Sequence, residues 1–201
     1  MSNKKRKKIV IYGGSFNPPH IGHAIAIEAV LRNFKCDEIW MMPSSERLDK
    51  HIGISGKHRV SMLKIMLREY FLHPKIKIQI SDLELKRLKL TTTYDTLNEL
   101  KKLYPRDKFY FLIGSDLLWD IRNKWVRGRE LWRSANFLAI RKPGAKVPSK
   151  MPPNIKLVDK DIVWVNISST LVRDLIKKSC SGIPYIHPKI ARYIKKYGLY
   201  R

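Results

Sequence analysis

Cysteine, acidic residues and long apolar runs are all scarce in this chain of 201 residues. The two cysteines, Cys36 and Cys180, are isolated and form no CxxC pair, which argues against metal or redox roles and predicts inert thiols. The longest apolar runs have about five residues, as in FYFLI, so none can span a membrane. The basic start MSNKKRKK is followed by only four apolar residues before Gly13, too few for a signal peptide, and we expect a cytoplasmic protein.

Positive charge is what the sequence has in excess. The 41 Lys and Arg residues stand against 17 Asp and Glu, giving a formal net charge of +24. Such a field attracts polyanions, including nucleic acids, acidic membranes and phosphorylated metabolites. A general bias toward lysine explains the charge equally well, because no RNA-binding motif accompanies it. We therefore expect phosphorylated small molecules as partners, with no membrane and no specific nucleic acid; the sequence does not fix the oligomeric state.

Apolar runs alternate with helical patterns along the chain, and 44% of the residues are hydrophobic. This alternation predicts an α/β fold with a doubly wound, Rossmann-like parallel sheet, in a single domain over residues 1–201. The predicted strands are KIVIY, EIWMM, KIKIQIS, FYFLI, NFLAI and a last one at residues 162–165, and the predicted helices of the core cover residues 21–34, 56–72 and 93–104. Residues 1–8 form a basic N-terminal arm, and residues 167–201 form a small C-terminal helical extension with two helices.

The segment GGSFNPPHIGH, residues 13–23, joins the first predicted strand to the first predicted helix. Gly13 and Gly14 let the backbone turn and approach a ligand at the carboxyl end of a parallel strand, where open α/β sheets bind ligands. The following helix points its N–H groups at the same place, which favours phosphate. His20 and His23 are three residues apart, so they share one helical face and can donate hydrogen bonds to phosphate oxygens.

A second phosphate-binding pattern is ISSTLVR, residues 167–173. Ser168, Ser169 and Thr170 are favourable N-cap residues, and their hydroxyl and backbone N–H groups can bind phosphate. Arg173 lies three residues after Thr170 and four after Ser169, so it shares their face and can add a charge-assisted contact. Alone, this pattern is more typical of an ordinary helix cap; beside GGSFNPPHIGH it indicates a nucleotide site.

These two segments resemble the signatures of one family. GGSFNPPHIGH is similar to the GG(T/S)F(D/N)PxHxGH motif of the nicotinate/nicotinamide mononucleotide adenylyltransferases, and ISSTLVR is similar to their ISSTxIR. TTTYDTL, FLIGSDLL, IRKPG and the closing GLY resemble further segments of that family, so the resemblance covers nearly the whole chain. It implies the fold of the HIGH-motif nucleotidyltransferases and adenylyl transfer from ATP to nicotinic acid mononucleotide in NAD biosynthesis. Mg²⁺ is expected to arrive with ATP, because the sequence shows no carboxylate cluster for a protein-made metal site.

The resemblance also assigns residues to roles. It implies that His20, His23 and Arg173 are catalytic. The residues that it places around ATP are Gly13, Gly14, Ser15, Phe16, Gly22, Gly114, Asp116, Ser168, Ser169 and Thr170. The residues that it places around the mononucleotide are Asn17, Arg47, Lys50, Thr92, Thr93, Trp125 and Arg141. The family's PPHK segment is replaced by PSSERLDKH here, so Lys50 is the first candidate for gripping the mononucleotide phosphate and Arg47 the second.

Three alternatives remain. Phosphopantetheine adenylyltransferases share the fold and the HxGH element, but they are shorter and lack segments like TTTYDTL and ISSTLVR. Class I aminoacyl-tRNA synthetases also carry HIGH, but this chain is too short and has no KMSKS-like element. A basic nucleic-acid-binding protein without catalysis fits the charge, whereas the intact His20, His23 and Arg173 argue against it. The chain resembles the bacterial branch of the family, which implies the acid mononucleotide rather than the amide as substrate. The resemblance also implies backbone N–H donors near Thr92 and Thr93, and these donors and the positive charge both suit a carboxylate.

Overall fold

The computed structural model describes residues 5–45, 52–87, 92–158, 160–163, 165–178 and 184–201. The strands in these ranges are β1 (Lys8–Gly14), β2 (Glu38–Pro43), β3 (Lys77–Ile80), β4 (Lys108–Gly114), β5 (Asn136–Ile140) and β6 (Ile155–Leu157). The helices are α1 (Ile21–Asn33), α2 (Gly56–Tyr70), α3 (Thr93–Leu103), α4 (Leu118–Asn123), α5 (Gly128–Ser134), α6 (Ser169–Lys177) and α7 (Pro188–Lys196), and a short 3₁₀ turn (Ser115–Leu117) precedes α4. The strands form one parallel sheet in the order β3-β2-β1-β4-β5-β6. The predicted doubly wound fold is confirmed.

The last strand does not lie where the sequence pattern places it. Residues 155–157 form β6, which pairs with β5 from Phe137–Ile155 to Ala139–Leu157. The prediction at residues 162–165 is wrong: Ile162, Val163 and Val165 are in no strand, and Val163 is 78% exposed. The β-branched run has the propensity, but within the described ranges it is residues 155–157 that pair with the open side of β5.

Side chains alternate between the two faces of the sheet and build two apolar layers. On one face Val10, Met41 and Leu112 pack beneath α1, α2, α6 and α7. On the other face Ile11 and Phe111 pack beneath α3, α4 and α5. The period-two alternation of the strands therefore matches a sheet that is covered on both sides. No helix in the described ranges is long and apolar enough to cross a membrane.

The sheet opens between its two central strands. β1 pairs with β2 as far as Gly14–Pro43, and β4 pairs with β5 as far as Gly114–Ile140. The pairing of β1 with β4, however, ends at Ile11–Phe111. Residues 12–14 and 112–114 thus diverge, and we call this opening the strand fork. It lies where the chain order reverses from β1 outward to β2 and then back to β4, the usual ligand site of such sheets.

Candidate active site

A cleft of about 260 Å³ lies at the strand fork. Its walls come from the first βα loop, from the ends of β4 and β5, and from the start of α6. The residues that line it are Tyr12, Ser15, His20, Gly22, His23, Ile25, Ala26, Leu112, Ile113, Gly114, Ile140, Lys142, Pro143, Val165, Ile167, Ser168, Ser169 and Thr170. The two predicted phosphate motifs, which are about 150 residues apart in the chain, therefore face one another.

His20 and His23 lie together at the start of α1. His20 is the N-cap, and its backbone N–H donates to Nδ1 of His23 at 3.0 Å. This bond leaves the ring proton of His23 on Nε2. The two ring centroids are 3.8 Å apart, and Nδ1 of His20 is buried with no hydrogen-bond partner in the described part of the chain. Among the described residues, each ring thus has one nitrogen for which no protein partner is seen.

Both imidazoles are neutral at pH 7 in the protein without ligand. Burial lowers the pKa of His20 to about 4, and the nearby Lys142 contributes to this shift. Burial also holds the pKa of His23 well below its ordinary value, with further contributions from His20 and Lys142. A neutral ring in this cleft is a hydrogen-bond donor that becomes easier to protonate when an anion binds beside it.

Side chains from α2 and α6 bind the backbone carbonyls of the first βα loop. The guanidinium of Arg59 donates to the carbonyl of Ser15 at 2.9 Å, and the guanidinium of Arg173 donates to the carbonyl of Asn17 at 2.8 Å. The hydroxyl of Ser169 donates to the carbonyl of Pro18 at 2.9 Å, next to the cis peptide Asn17–Pro18. These contacts fix the loop between the two helices.

Arg59 is a residue that the sequence analysis missed. Its side chain is almost fully buried, and its second Nη donates to the carbonyl of Ser44 at 2.8 Å. The signal was present in α2, where the buried residues Arg59, Met62, Leu63 and Met66 follow the i, i+3, i+4, i+7 spacing of an apolar face. A charged side chain within an apolar stripe requires buried acceptors, and here backbone carbonyls supply them.

The end of β4 carries an ion pair at the mouth of the cleft. Nζ of Lys142 lies 2.8 Å from Oδ2 of Asp116, and the backbone N–H of Lys142 donates to the Ser115 hydroxyl at 2.9 Å. A Cβ on Gly114 would overlap Oδ1 of Asp116, so the absence of a side chain there lets the pair form. Lys142, which the sequence analysis did not choose, lines the cleft, whereas the predicted Arg141 is exposed and does not.

Most of the residues predicted to bind ATP are brought together. Ser15, Gly22, Gly114, Ser168, Ser169 and Thr170 line the cleft with the two histidines. Phe16 is buried beneath them with its ring 4.9 Å from that of His23, and a Cβ on Gly14 would press against this ring. Gly13 lies at the fork with open space around it. Arg173 borders the cleft through its 3.1 Å bond to the Thr170 hydroxyl.

Of the residues predicted to bind the mononucleotide, those that the structure describes are not among the residues that line this cleft. Thr92 caps α3 and exchanges hydrogen bonds with Asp95, Thr93 is the first residue of α3, and Trp125 packs near Phe137 on the same face of the sheet. Asn17 is buried, and both ends of its amide are bonded within the protein. Arg47 and Lys50 lie outside the described residues.

A family model described as cytidylyltransferase-like matches residues 11–175. The chain therefore belongs to the cytidylyltransferase-like family.

Individual relatives agree with the resemblance of the motifs to the mononucleotide adenylyltransferases, which is narrower than the family just named. Over 196 residues the chain is 35% identical to the probable nicotinate-nucleotide adenylyltransferase of Oceanobacillus iheyensis, a match that covers 96% of this chain and 97% of the relative. Over 196 residues it is 33% identical to the nicotinate-nucleotide adenylyltransferase of Bacillus subtilis, with 96% and 98% covered.

A solved structure is similar over the same extent. The nicotinic acid mononucleotide adenylyltransferase of Plasmodium falciparum complexed with NaAD matches with a TM-score of 0.86 at 33% identity, covering 97% of this chain and 98% of that one. The same enzyme complexed with APC matches with a TM-score of 0.83 at 32% identity, over the same shares of the two chains. The resemblance to the mononucleotide adenylyltransferases is confirmed.

Proposed function

We propose that this protein is an enzyme that transfers the adenylyl group of ATP to nicotinic acid mononucleotide, giving deamido-NAD and pyrophosphate. The observation that carries the proposal is the cleft at the strand fork, where the histidine pair of the first loop faces the N-terminus of α6. The relatives named for this activity match nearly the full length of the chain. The reaction is a step of NAD biosynthesis.

The reaction is a direct displacement at phosphorus. An oxygen of the mononucleotide phosphate attacks the α-phosphorus of ATP, the bond from that phosphorus to the bridging oxygen of the β-phosphate breaks, and pyrophosphate leaves. Mg²⁺ enters with ATP as part of the substrate. Because the protein forms no covalent bond in this scheme, its contribution is to position the substrates and stabilise the charge that develops.

His20 and His23 serve as the hydrogen-bond donors toward the phosphates of ATP. The Nε2–H of His23 is available because its Nδ1 is occupied by the His20 backbone. The hydroxyl and N–H groups at the start of α6 face them across the cleft, and the guanidinium of Arg173 still has N–H donors beyond its two protein contacts. Lys142 adds positive charge from the mouth of the cleft.

The mononucleotide is assigned to the neighbouring region at the start of α3. The ring of Trp125 is the stacking surface for the pyridine, and the first N–H groups of α3 have no partners inside the helix. The N–H of Thr92 already donates to Asp95 at 3.2 Å, so the N–H of Thr93 is the better donor. Asn17, Arg47, Lys50 and Arg141 remain proposed contacts of this substrate, with Lys50 ahead of Arg47 for its phosphate.

The acid mononucleotide is the proposed substrate because a site of N–H donors satisfies a carboxylate but opposes the NH₂ of an amide. One mispaired group in a closed pocket costs about 1–3 kcal/mol, which corresponds to roughly tenfold to hundredfold discrimination. The net charge of +24 acts in the same direction.

The deciding experiment is pyrophosphate release from ATP with each mononucleotide supplied separately. We expect kcat/KM to be at least about tenfold higher for the acid than for the amide. A ratio near one, or one that favours the amide, contradicts the substrate preference. Absence of release with both mononucleotides contradicts the proposed reaction itself.

A further inference from the structure

The C-terminal segment, residues 184–201, contacts the first βα loop at one point and the start of α1 at another. The carbonyl of Tyr185 accepts a hydrogen bond from the backbone N–H of Ile21 at 2.7 Å, and the hydroxyl of Tyr200 donates to Oδ1 of Asn17 at 2.5 Å. The two tyrosines flank α7, which is docked on α2 through the Lys189–Glu69 ion pair at 2.7 Å. The end of the chain therefore supports the loop that carries the histidine pair.

Tyr200 holds its position in a backbone conformation that costs free energy. Its φ of 66° lies in the left-handed region, which is unfavourable for a large side chain. The turn before it uses Gly198, with φ of 60°, where the same region carries no such cost. Tyr200 is nevertheless buried in the core. Strained residues of this kind persist where the surrounding structure fixes them, and they cluster at functional sites.

Asn17 is fully constrained once Tyr200 is in place. Its Oδ1 accepts from Tyr200, its Nδ2 donates to the carbonyl of Ile52 at 2.7 Å, and its own carbonyl accepts from Arg173. Burial raises the pKa of Tyr200, so its hydroxyl stays a donor over the working pH range. His20, whose ring lines the cleft, follows Asn17 by only three residues in the same loop.

We propose that Tyr200 is a positioning residue of the active site, which acts through Asn17 to hold the loop of residues 13–20 so that His20 and His23 face ATP. The proposal rests on the proposed function. Tyr200 is not among the residues that line the cleft, so its effect is indirect. Without its hydroxyl, Oδ1 of Asn17 is buried without this donor, and the amide and the loop are fixed less tightly.

The first test compares two tyrosines of the same segment. Tyr200→Phe should lower kcat/KM roughly tenfold or more, because a buried acceptor loses its donor and the reacting groups lose alignment. The matched control is Tyr197→Phe: Tyr197 is half exposed, and its ring packs against His58 and Tyr193. It should keep wild-type activity. Equal effects of the two substitutions overturn the proposal.

A double-mutant cycle separates positioning from general stability. In an Asn17→Ala background Tyr200→Phe should cause no further loss, since its partner is already gone. An equal further loss of kcat/KM in both backgrounds would mean that Tyr200 does not act through Asn17, which overturns the proposal. A lowered melting temperature with unchanged kcat/KM would mean that Tyr200 is merely structural, which overturns it as well. The same cycle is repeated with the Kd of a non-hydrolysable ATP analogue as the measured quantity, by calorimetry, because binding can be measured in variants that have little turnover. Absence of turnover in the wild type contradicts the proposed reaction, whereas this Kd cycle still decides the role of Tyr200.

Discussion

At the residue scale, the site depends on polar side chains that the protein desolvates without fully satisfying. His20 is buried, its Nδ1 has no partner in the described part of the chain, and its pKa is lowered to about 4. Such a group costs stability in the empty protein and recovers it when a ligand supplies the partner. The histidines are therefore better explained by ligand binding than by folding.

Replacing either histidine should separate activity from folding. His20→Ala and His23→Ala should each lower kcat roughly 100-fold or more, because each ring stabilises charge that grows in the transition state. Both variants should still fold, with a modest drop in melting temperature, because His20 is buried and His23 accepts the hydrogen bond from the His20 backbone. His73→Ala, at an exposed histidine in the turn after α2, is the control and should have full activity. Near-full turnover of either alanine variant would show that the catalytic assignment is wrong.

The lowered pKa of His20 also predicts how stability depends on pH. In the unfolded chain this histidine has an ordinary pKa near 6.5 and binds a proton below that pH. In the folded protein it stays neutral down to about pH 4, so the free energy of unfolding falls as the pH drops through this window. From pH 7 to pH 5 this one group should cost about 2 kcal/mol of unfolding free energy.

Urea unfolding of the wild type and His20→Gln at both pH values isolates this contribution. Titrating groups that His20 does not perturb cancel in the difference, and the variant should lose less stability on acidification. An identical pH dependence of the two proteins would show that the pKa of His20 is not depressed.

At the scale of elements, the periodicity of apolar residues predicts those helices and strands that are long enough to show it. Five strands and the helices α1, α2 and α3 follow from periodicity, because each has enough residues to show it. Six-residue α4 and seven-residue α5 were missed, since one or two turns carry no clear period. The three-residue β6 is defined by its pairing with the open side of β5, which is a tertiary contact. Strand propensity alone therefore favoured the wrong segment, residues 162–165.

The same limit applies to the site. GGSFNPPHIGH and ISSTLVR are recognisable because their chemistry is concentrated in a few neighbouring residues. Arg59 and Tyr200 act on the loop across 44 and 183 positions of sequence, and their partners are a backbone carbonyl and an amide. No spacing rule connects such pairs, and only the folded chain brings them together.

The α4–α5 pair offers a test of packing. Gly128 begins α5, and a Cβ there would overlap the carbonyl oxygen of Ile121, a backbone atom of α4 that cannot move alone. Gly128→Ala should therefore destabilise the protein by about 3 kcal/mol in urea unfolding. Ser134→Ala, at the exposed end of the same helix, should cost far less. Equal costs would mean that the two helices do not pack this closely.

At the scale of the whole molecule, charge is the dominant feature. With 41 basic and 17 acidic residues, most cations cannot find an acidic partner. The resulting field attracts the polyanionic substrates and any other polyanion as well. A positive field alone gives affinity without sequence recognition, because it acts on phosphates and not on bases.

RNA binding should therefore be weak and dependent on salt. Filter binding of an unrelated structured RNA should weaken at least about a hundredfold between roughly 50 and 200 mM salt, because phosphate contacts act through counterion release. A second RNA of different sequence should behave in the same way. Tight binding of one RNA that survives at the higher salt would contradict this expectation and support a nucleic-acid-binding function.

The strand fork places two short sheet edges in the middle of a sheet. Beyond Ile11 and Phe111 the facing backbones of β1 and β4 no longer bond to each other. An exposed edge normally invites another strand and is a hazard for aggregation. Here residues of α1 and α6 and the histidine pair line the opening, which has room for a small polar molecule. The fold thus turns an aggregation liability into peptide groups that are free to recognise a ligand, whatever side chains surround them.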